Sequence, residues 1–182
     1  MATVKIVEVG AGNVTDELAD DAYVVFRSSN ATGDALATAP LVKPNAGVAR
    51  SYEKWLKVIA KDLVAADKLA NFQLYVADGS APAAGVSLQV GTSANKVNPA
   101  GVDSTVATAD LFSKTSGAPL VLTVANSTYG LAAANPNNVI AQDGQIGPYI
   151  VLQMDLTSQA TTGDFATTYG DIPISVKYDV IP

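Results

Sequence analysis

Apolar and polar residues alternate with period two along much of this chain, the spacing that turns one side of a β-strand to a core and the other to water. From Tyr149 to Thr157, the side chains of Ile150, Leu152, Met154 and Leu156 fall on one side, and those of Val151, Gln153, Asp155 and Thr157 on the other. The C-terminus repeats the pattern, with Ile172, Ile174, Val176, Tyr178 and Val180 inward and Pro173, Ser175, Lys177 and Asp179 outward. Pro173 has no N–H to give to a ladder, so this strand begins there or lies on an edge. The same reading predicts strands over Val4–Val9, Ala22–Arg27, Asn71–Ala77, Gly85–Val90 and Pro119–Val124. Turn pairs separate these runs: Asp78-Gly79, Asn98-Pro99, Asn135-Pro136, Asp143-Gly144, Gly163-Asp164 and Gly170-Asp171. Many short strands with frequent breaks indicate an all-β, antiparallel sandwich or barrel.

Two stretches depart from this pattern. Ser28–Gly47 is rich in Ala, Thr, Gly, Asn and Pro and reads as a long connection. It divides the chain into an N-terminal section, residues 1–47, that holds strands and an extended connection or arm, and a sandwich body, residues 48–182. The second stretch is Ser51–Lys68. Tyr52, Trp55, Leu56, Ile59 and Leu63 lie at helical spacing, with Glu53, Lys54, Lys57 and Lys61 opposite. As a strand, Tyr52, Lys54, Leu56, Val58 and Ala60 would share one face, and Lys57 and Lys61 would snorkel outward. Periodicity leaves both readings open and slightly favours the helix.

The chain has no histidine and no cysteine. A Ser-His-Asp or Cys-His arrangement therefore cannot be built, and zinc, haem and iron–sulfur centres lose their common ligands. Charged residues make up 15% of the chain, below the usual share of about a quarter, which suggests surface buried against other subunits. A neutral surface of Thr, Ser, Asn and Gln explains the same figure equally well. Net charge is −6 with no basic patch, so neither nucleic acid nor an anionic membrane is an expected partner. Lys5 and Glu8 interrupt any apolar leader, and no run approaches the roughly 20 residues of a membrane span. Synthesis in a cytoplasm is expected.

Three motifs invite chemistry. Gly10-Ala11-Gly12-Asn13-Val14 follows a strand as a dinucleotide-binding turn would, but the third glycine is missing and Ala22–Arg27 arrives too soon for a crossover helix. A glycine turn between antiparallel strands is the simpler reading. Asp16, Glu17, Asp20 and Asp21 lack the spaced ligands, central glycine and terminal glutamate of a calcium loop. A single helical turn capped by Asn13 or Thr15, with acids at its positive end, accounts for them. The only glutamates are Glu8, Glu17 and Glu53, and nothing selects a pair of opposed carboxylates for glycoside hydrolysis. Trp55, the single tryptophan, reads as core rather than sugar platform. Triplets at Asn13, Asn30 and Asn126 match a glycosylation pattern and read as chance in a Thr- and Asn-rich chain. No catalytic, cofactor-binding or metal-binding residues are assigned.

Several stretches together resemble virion structural proteins of tailed bacteriophages. They are Ser51-Tyr52-Glu53-Lys54-Trp55-Leu56-Lys57-Val58, Leu69–Val76, Gly85–Thr92, Asp103-Ser104-Thr105-Val106-Ala107-Thr108, Tyr149–Met154 and Ile174–Asp179. The resemblance covers about three quarters of the chain and rests on strand-and-turn patterns rather than a catalytic fingerprint. It implies that Tyr52–Ala60 is a strand. It also implies a non-enzymatic β-sandwich of jelly-roll type with little helix, acting as a capsid decoration or cement protein on the virion surface. The implied partners are the major capsid protein and further copies of the chain, a trimer being favoured. A tail or fibre module, or a carbohydrate- or surface-binding sandwich, are the alternatives.

Overall fold

The computed structural model describes residues 3–9, 15–17, 24–30, 40–64, 68–76, 82–122, 144–160 and 174–181. Its strands are β1 (Thr3–Val9), β2 (Thr15–Glu17), β3 (Val48–Arg50), β4 (Lys54–Lys61), β5 (Lys68–Val76), β6 (Val86–Ser93), β7 (Ala109–Asp110), β8 (Leu120–Val121), β9 (Gly144–Thr157) and β10 (Ile174–Ile181). A 3-10 turn, Leu111–Ser113, is the one helical element among the described residues. The fold is all-β, as the alternation predicts.

Two antiparallel sheets form. A seven-stranded sheet runs β2-β1-β4-β9-β6-β7, with β3 continuing the β4 side of β9, and a three-stranded sheet runs β10-β5-β8. Leu56, Val58 and Ala60 of β4, Val86, Leu88 and Val90 of β6, and Ile150, Leu152 and Met154 of β9 line one side of the core. Leu69, Phe72, Leu74 and Val76 of β5 meet them, while Leu111, Phe112 and Leu122 complete the cluster. Burial of this much apolar surface, at about 25 cal/mol per Å², is the term that holds the sheets together. The inward side of β9 is the one the alternation indicates. On β10, Ile174, Val176 and Tyr178 pack on the core half-buried, but Val180 is exposed. Ile172 and Pro173 lie outside the described residues.

Local chemistry sets the irregularities. β9 pairs with β4 through Leu152, Val151 and Ile150, then resumes at Ile146 after a bulge over Gly147-Pro148-Tyr149. Proline is tolerated in this central strand only because the bulge relieves it of a ladder bond. A sequence reading that stops the strand at Tyr149 therefore loses its first residues. β5 begins at Lys68 rather than Asn71, because Asn71 sits in a bulge at φ 56° and donates to Asp179 Oδ2 at 2.7 Å. Asparagine tolerates that left-handed backbone better than most residues. Across the bulge, Phe72 stacks on Tyr178 at 5.7 Å.

Residues 54–61 form a strand, against the helical spacing and with the resemblance. Lys54 shares the inward face with Leu56, Val58 and Ala60, and donates to Glu8 Oε1 at 2.8 Å with both side chains almost wholly buried. The strand reading places Lys54 on this face, and neighbouring β1 supplies the carboxylate that neutralises it there.

The N-terminal section differs in detail. Val4–Val9 is a strand, paired with β4 from Thr3 to Glu8. Thr15–Glu17 is extended and antiparallel to Val7–Val9, not a capped helical turn. The expected strand over Ala22–Arg27 does not form across its described part: Val24–Phe26 has no ladder, and Arg27 takes part in an isolated bridge to Pro40 while its carbonyl accepts from the Tyr52 amide at 2.8 Å. The β1 edge that a second strand would use is taken at Val7–Val9 by β2. Residues 10–14, including the glycine turn, and Asp20 and Asp21 lie outside the described residues, as do Asn126 and the turn pairs at 78–79, 135–136, 163–164 and 170–171.

Candidate functional site

The side of β4 and β9 turned away from the core carries Trp55 and Val151, paired across the ladder. With Val9 and Ala107 they form a second apolar cluster, separate from the main core, and Tyr149 meets the Trp55 ring edge-on at 6.0 Å. Trp55 is buried as predicted, but under a loop rather than between the sheets. That loop, residues 94–108, joins β6 to β7 and folds back across the sheet face. Val90 pairs with Ala109 and Gln89 with Asp110, so the chain that leaves β6 returns to it along β7 after the loop. Below we call it the strap.

Side chains from the sheet hold the strap in one conformation. The Glu53 carboxylate is buried and accepts three hydrogen bonds: from Trp55 Nε1 at 3.0 Å, from the Ala100 amide at 3.0 Å and from Ser104 Oγ at 2.5 Å. The Glu53 amide in turn donates to the Ala100 carbonyl at 2.8 Å. Ser104 Oγ also accepts from the Val106 and Ala107 amides at 3.1 and 2.7 Å. Gln153, buried on β9, accepts from the Ser104 amide at 2.9 Å through Oε1. Its Nε2 donates to the Ser51 carbonyl at 2.9 Å and the Val102 carbonyl at 2.6 Å. A charged acceptor and an amide used at both ends replace the regular ladder that a loop lacks.

The strap also needs two glycines. Val106 crosses directly over Gly91 of β6, where any Cβ would collide with the Val106 carbonyl. Gly101 rests against the Tyr52 ring, and a Cβ there would enter it. At the outer rim Arg50 of β3 bridges Asp103 of the strap and Asp155 of β9, the latter at 3.4 Å. Burial pushes the Asp155 carboxyl above its ordinary value; Arg50 opposes that shift and the Asp103 charge adds to it.

On the outside of the strap, Val102 is 70% and Val97 57% exposed, while Val48 stands exposed on β3 two positions from Arg50. The result is a loop whose inner side combines the bonds to Glu53 and Gln153 with Ala107 of the small apolar cluster, and whose outer side shows aliphatic groups. Among the described residues no group of three or more carboxylates converges to hold a metal ion. Glu8 faces the core and Glu53 the strap, on opposite sides of the sheet, so these two glutamates do not flank a common cleft. Asp16 and Glu17 lie in β2.

Sequence reasoning missed Ser51, Gln153, Gly91 and Gly101 as parts of one arrangement. One available signal was Gln153, a polar residue sitting between apolar neighbours where a sheet face would otherwise be bare. Another was the lack of strand pattern from Ala94 to Thr108 around Asn98-Pro99. Among the described residues no helix is long and apolar enough to cross a membrane. No known family model matches this chain, and no curated protein and no solved structure is significantly similar to it.

Proposed function

We propose that this chain is a non-enzymatic structural protein of a bacteriophage virion, acting as a decoration or cement subunit on the capsid surface. The observation that carries the reading is the strap. Irregular loops longer than about 12 residues are uncommon in compact domains and usually functional. This one is pinned by buried Glu53 and Gln153, yet it turns Val97 and Val102 to the outside. Pre-organised aliphatic groups on a weakly charged surface suit permanent protein contact, because little ordering entropy remains to be lost on docking.

In this reading the partner is the major capsid protein, with further copies of the chain, as a trimer, around a symmetry axis. Packaged nucleic acid presses capsomers apart, and a subunit seated across their junction adds contact that must be broken before they separate. Copies around an axis act together, so modest single contacts hold firmly. Heating capsids with and without saturating protein tests this. Binding to the assembled state alone raises the disruption temperature by mass action. Unchanged disruption at full occupancy overturns cementing, and occupancy of tails instead of heads transfers the protein to the tail or fibre class. Val102→Asp and Val97→Asp lower occupancy if the strap is the contact element.

A further inference from the structure

Different forces hold the strap to the sheet and the two sheets to each other. The sheets meet through one large apolar cluster, whereas beneath the strap lies a small one, Val9, Trp55, Ala107 and Val151, that shares no residue with the first. Its other attachments are hydrogen bonds converging on Glu53, Gln153 and Ser104, and the rim contact between Arg50 and Asp103. The β6–β7 pairing, Gln89 with Asp110 and Val90 with Ala109, lies outside residues 94–108, so lifting the strap leaves that pairing in place.

We propose that residues 94–108 form a lid that opens as a unit from the outer sheet face, uncovering Trp55, Val151 and Glu53 while the sandwich beneath stays closed. Opening is selective because of what it exposes. Glu53 and Gln153 regain hydrogen bonds from water, and the apolar loss is confined to the small cluster, so the cost is well below that of parting the sheets. Closing has a steric requirement as well, since Val106 seats only over the bare backbone of Gly91. If the strap is the contact element, as proposed above, the closed fraction sets apparent affinity, because Val97 and Val102 keep their places only while the lid is shut. The opening itself does not depend on that reading.

Hydrogen exchange of the full chain in isolation, read by mass spectrometry, tests the lid without any capsid. The amides of Ala100 and Ser104 report closure, as each donates to a side chain beneath the strap, Glu53 and Gln153 respectively. They are expected to exchange roughly tenfold or more faster than those of β9, with a weaker dependence on denaturant. Ser104→Ala should raise strap exchange by about another tenfold and leave β9 unchanged. Acrylamide quenching of Trp55, the only tryptophan, should rise in parallel. Asp103→Asn, at an exposed position that leaves the fold intact, should act in the same direction by about two- to threefold. Equal exchange rates and equal denaturant dependence for strap and β9 would overturn the lid, as would a Ser104→Ala variant that accelerates both alike.

Discussion

The two faces of the β4–β9 pair carry the same backbone ladder and solve opposite problems. Inward, Leu56, Val58, Ile150 and Leu152 meet the second sheet through apolar area alone. Outward, Glu53 and Gln153 meet a loop through directed bonds around a small apolar cluster. Apolar contact is nondirectional and tolerates repacking, so it brings the sheets together without fixing any one loop. A buried carboxylate with three donors has few satisfactory alternatives, and it selects a single path for the strap. The inner face supplies stability, while the outer face specifies one conformation.

Removing the edge of the larger sheet is the harshest way to break this comparison. Deleting Met1–Gly47 strips β1 and β2 from β4, leaves Lys54 buried without Glu8 and bares a sheet edge. The expected product is insoluble or molten, judged by solubility and the loss of a cooperative melt. A soluble 48–182 fragment with a sharp transition would show that the N-terminal section is an arm after all.

Single substitutions then compare the faces directly. Leu152→Ala should cost about 2–5 kcal/mol in urea unfolding, since the side chain is fully buried between the sheets. Glu53→Gln, on the other face, puts an amide group among the Trp55, Ala100 and Ser104 donors. Its remaining oxygen can still take the Trp55 and Ala100 donors, so chiefly the one bond from Ser104 is lost, worth about 1.5–3 kcal/mol, and this loss should be smaller and accompanied by greater Trp55 exposure. A larger loss at Glu53 than at Leu152 would reverse the assignment of stability to the inner face.

These faces were not equally legible in the sequence. Alternation in Ile150, Leu152, Met154 and Leu156 marks the side of β9 that faces the second sheet, because a period of two sends successive residues to opposite sides. The outer side reads as solvent by the same logic, and Gln153 was placed there correctly but not as a buried anchor. Its partners lie about 50 residues or more away in the chain, at Ser51, Val102 and Ser104, and no local period encodes that meeting. The strand reading puts Lys54 on the inner face, but its partner Glu8 lies 46 residues away on another strand and is not legible from the local pattern. Thr15–Glu17 escaped notice because pairing with β1 overrides the capping preference of its residues. Directed polar contacts are long-range and particular, so periodicity conveys the core and not the strap.

At the rim of the strap the expected effects shrink. Asp103→Asn removes the exposed partner of Arg50 and should cost no more than about 1 kcal/mol, diminishing further in salt. An unaltered melting temperature together with faster strap exchange would place the contact wholly in lid closure. A loss of several kilocalories would mean that the rim, rather than Glu53, holds the strap.

Asp155 provides the finest test, since pH acts on it without altering the fold. Burial raises its carboxyl pKa in the folded chain, with Arg50 pulling the other way and Asp103 reinforcing the rise. Between the unfolded value, about 4, and that raised value the folded protein holds the extra proton, so this group's contribution to stability falls as pH rises. The penalty is complete above the raised value and absent below the unfolded one. Its buried Oδ1 has no hydrogen-bond partner, which fits a carboxylate that gains from protonation. Asp155→Asn removes the titration while keeping the shape. The stability of the unmodified protein minus that of Asp155→Asn should therefore decline as pH rises from about 4, read from urea midpoints at constant salt. A difference that instead grows with pH would mean that Arg50 outweighs burial, making the rim a stabilising ion pair and bringing the outer face closer in character to the inner one.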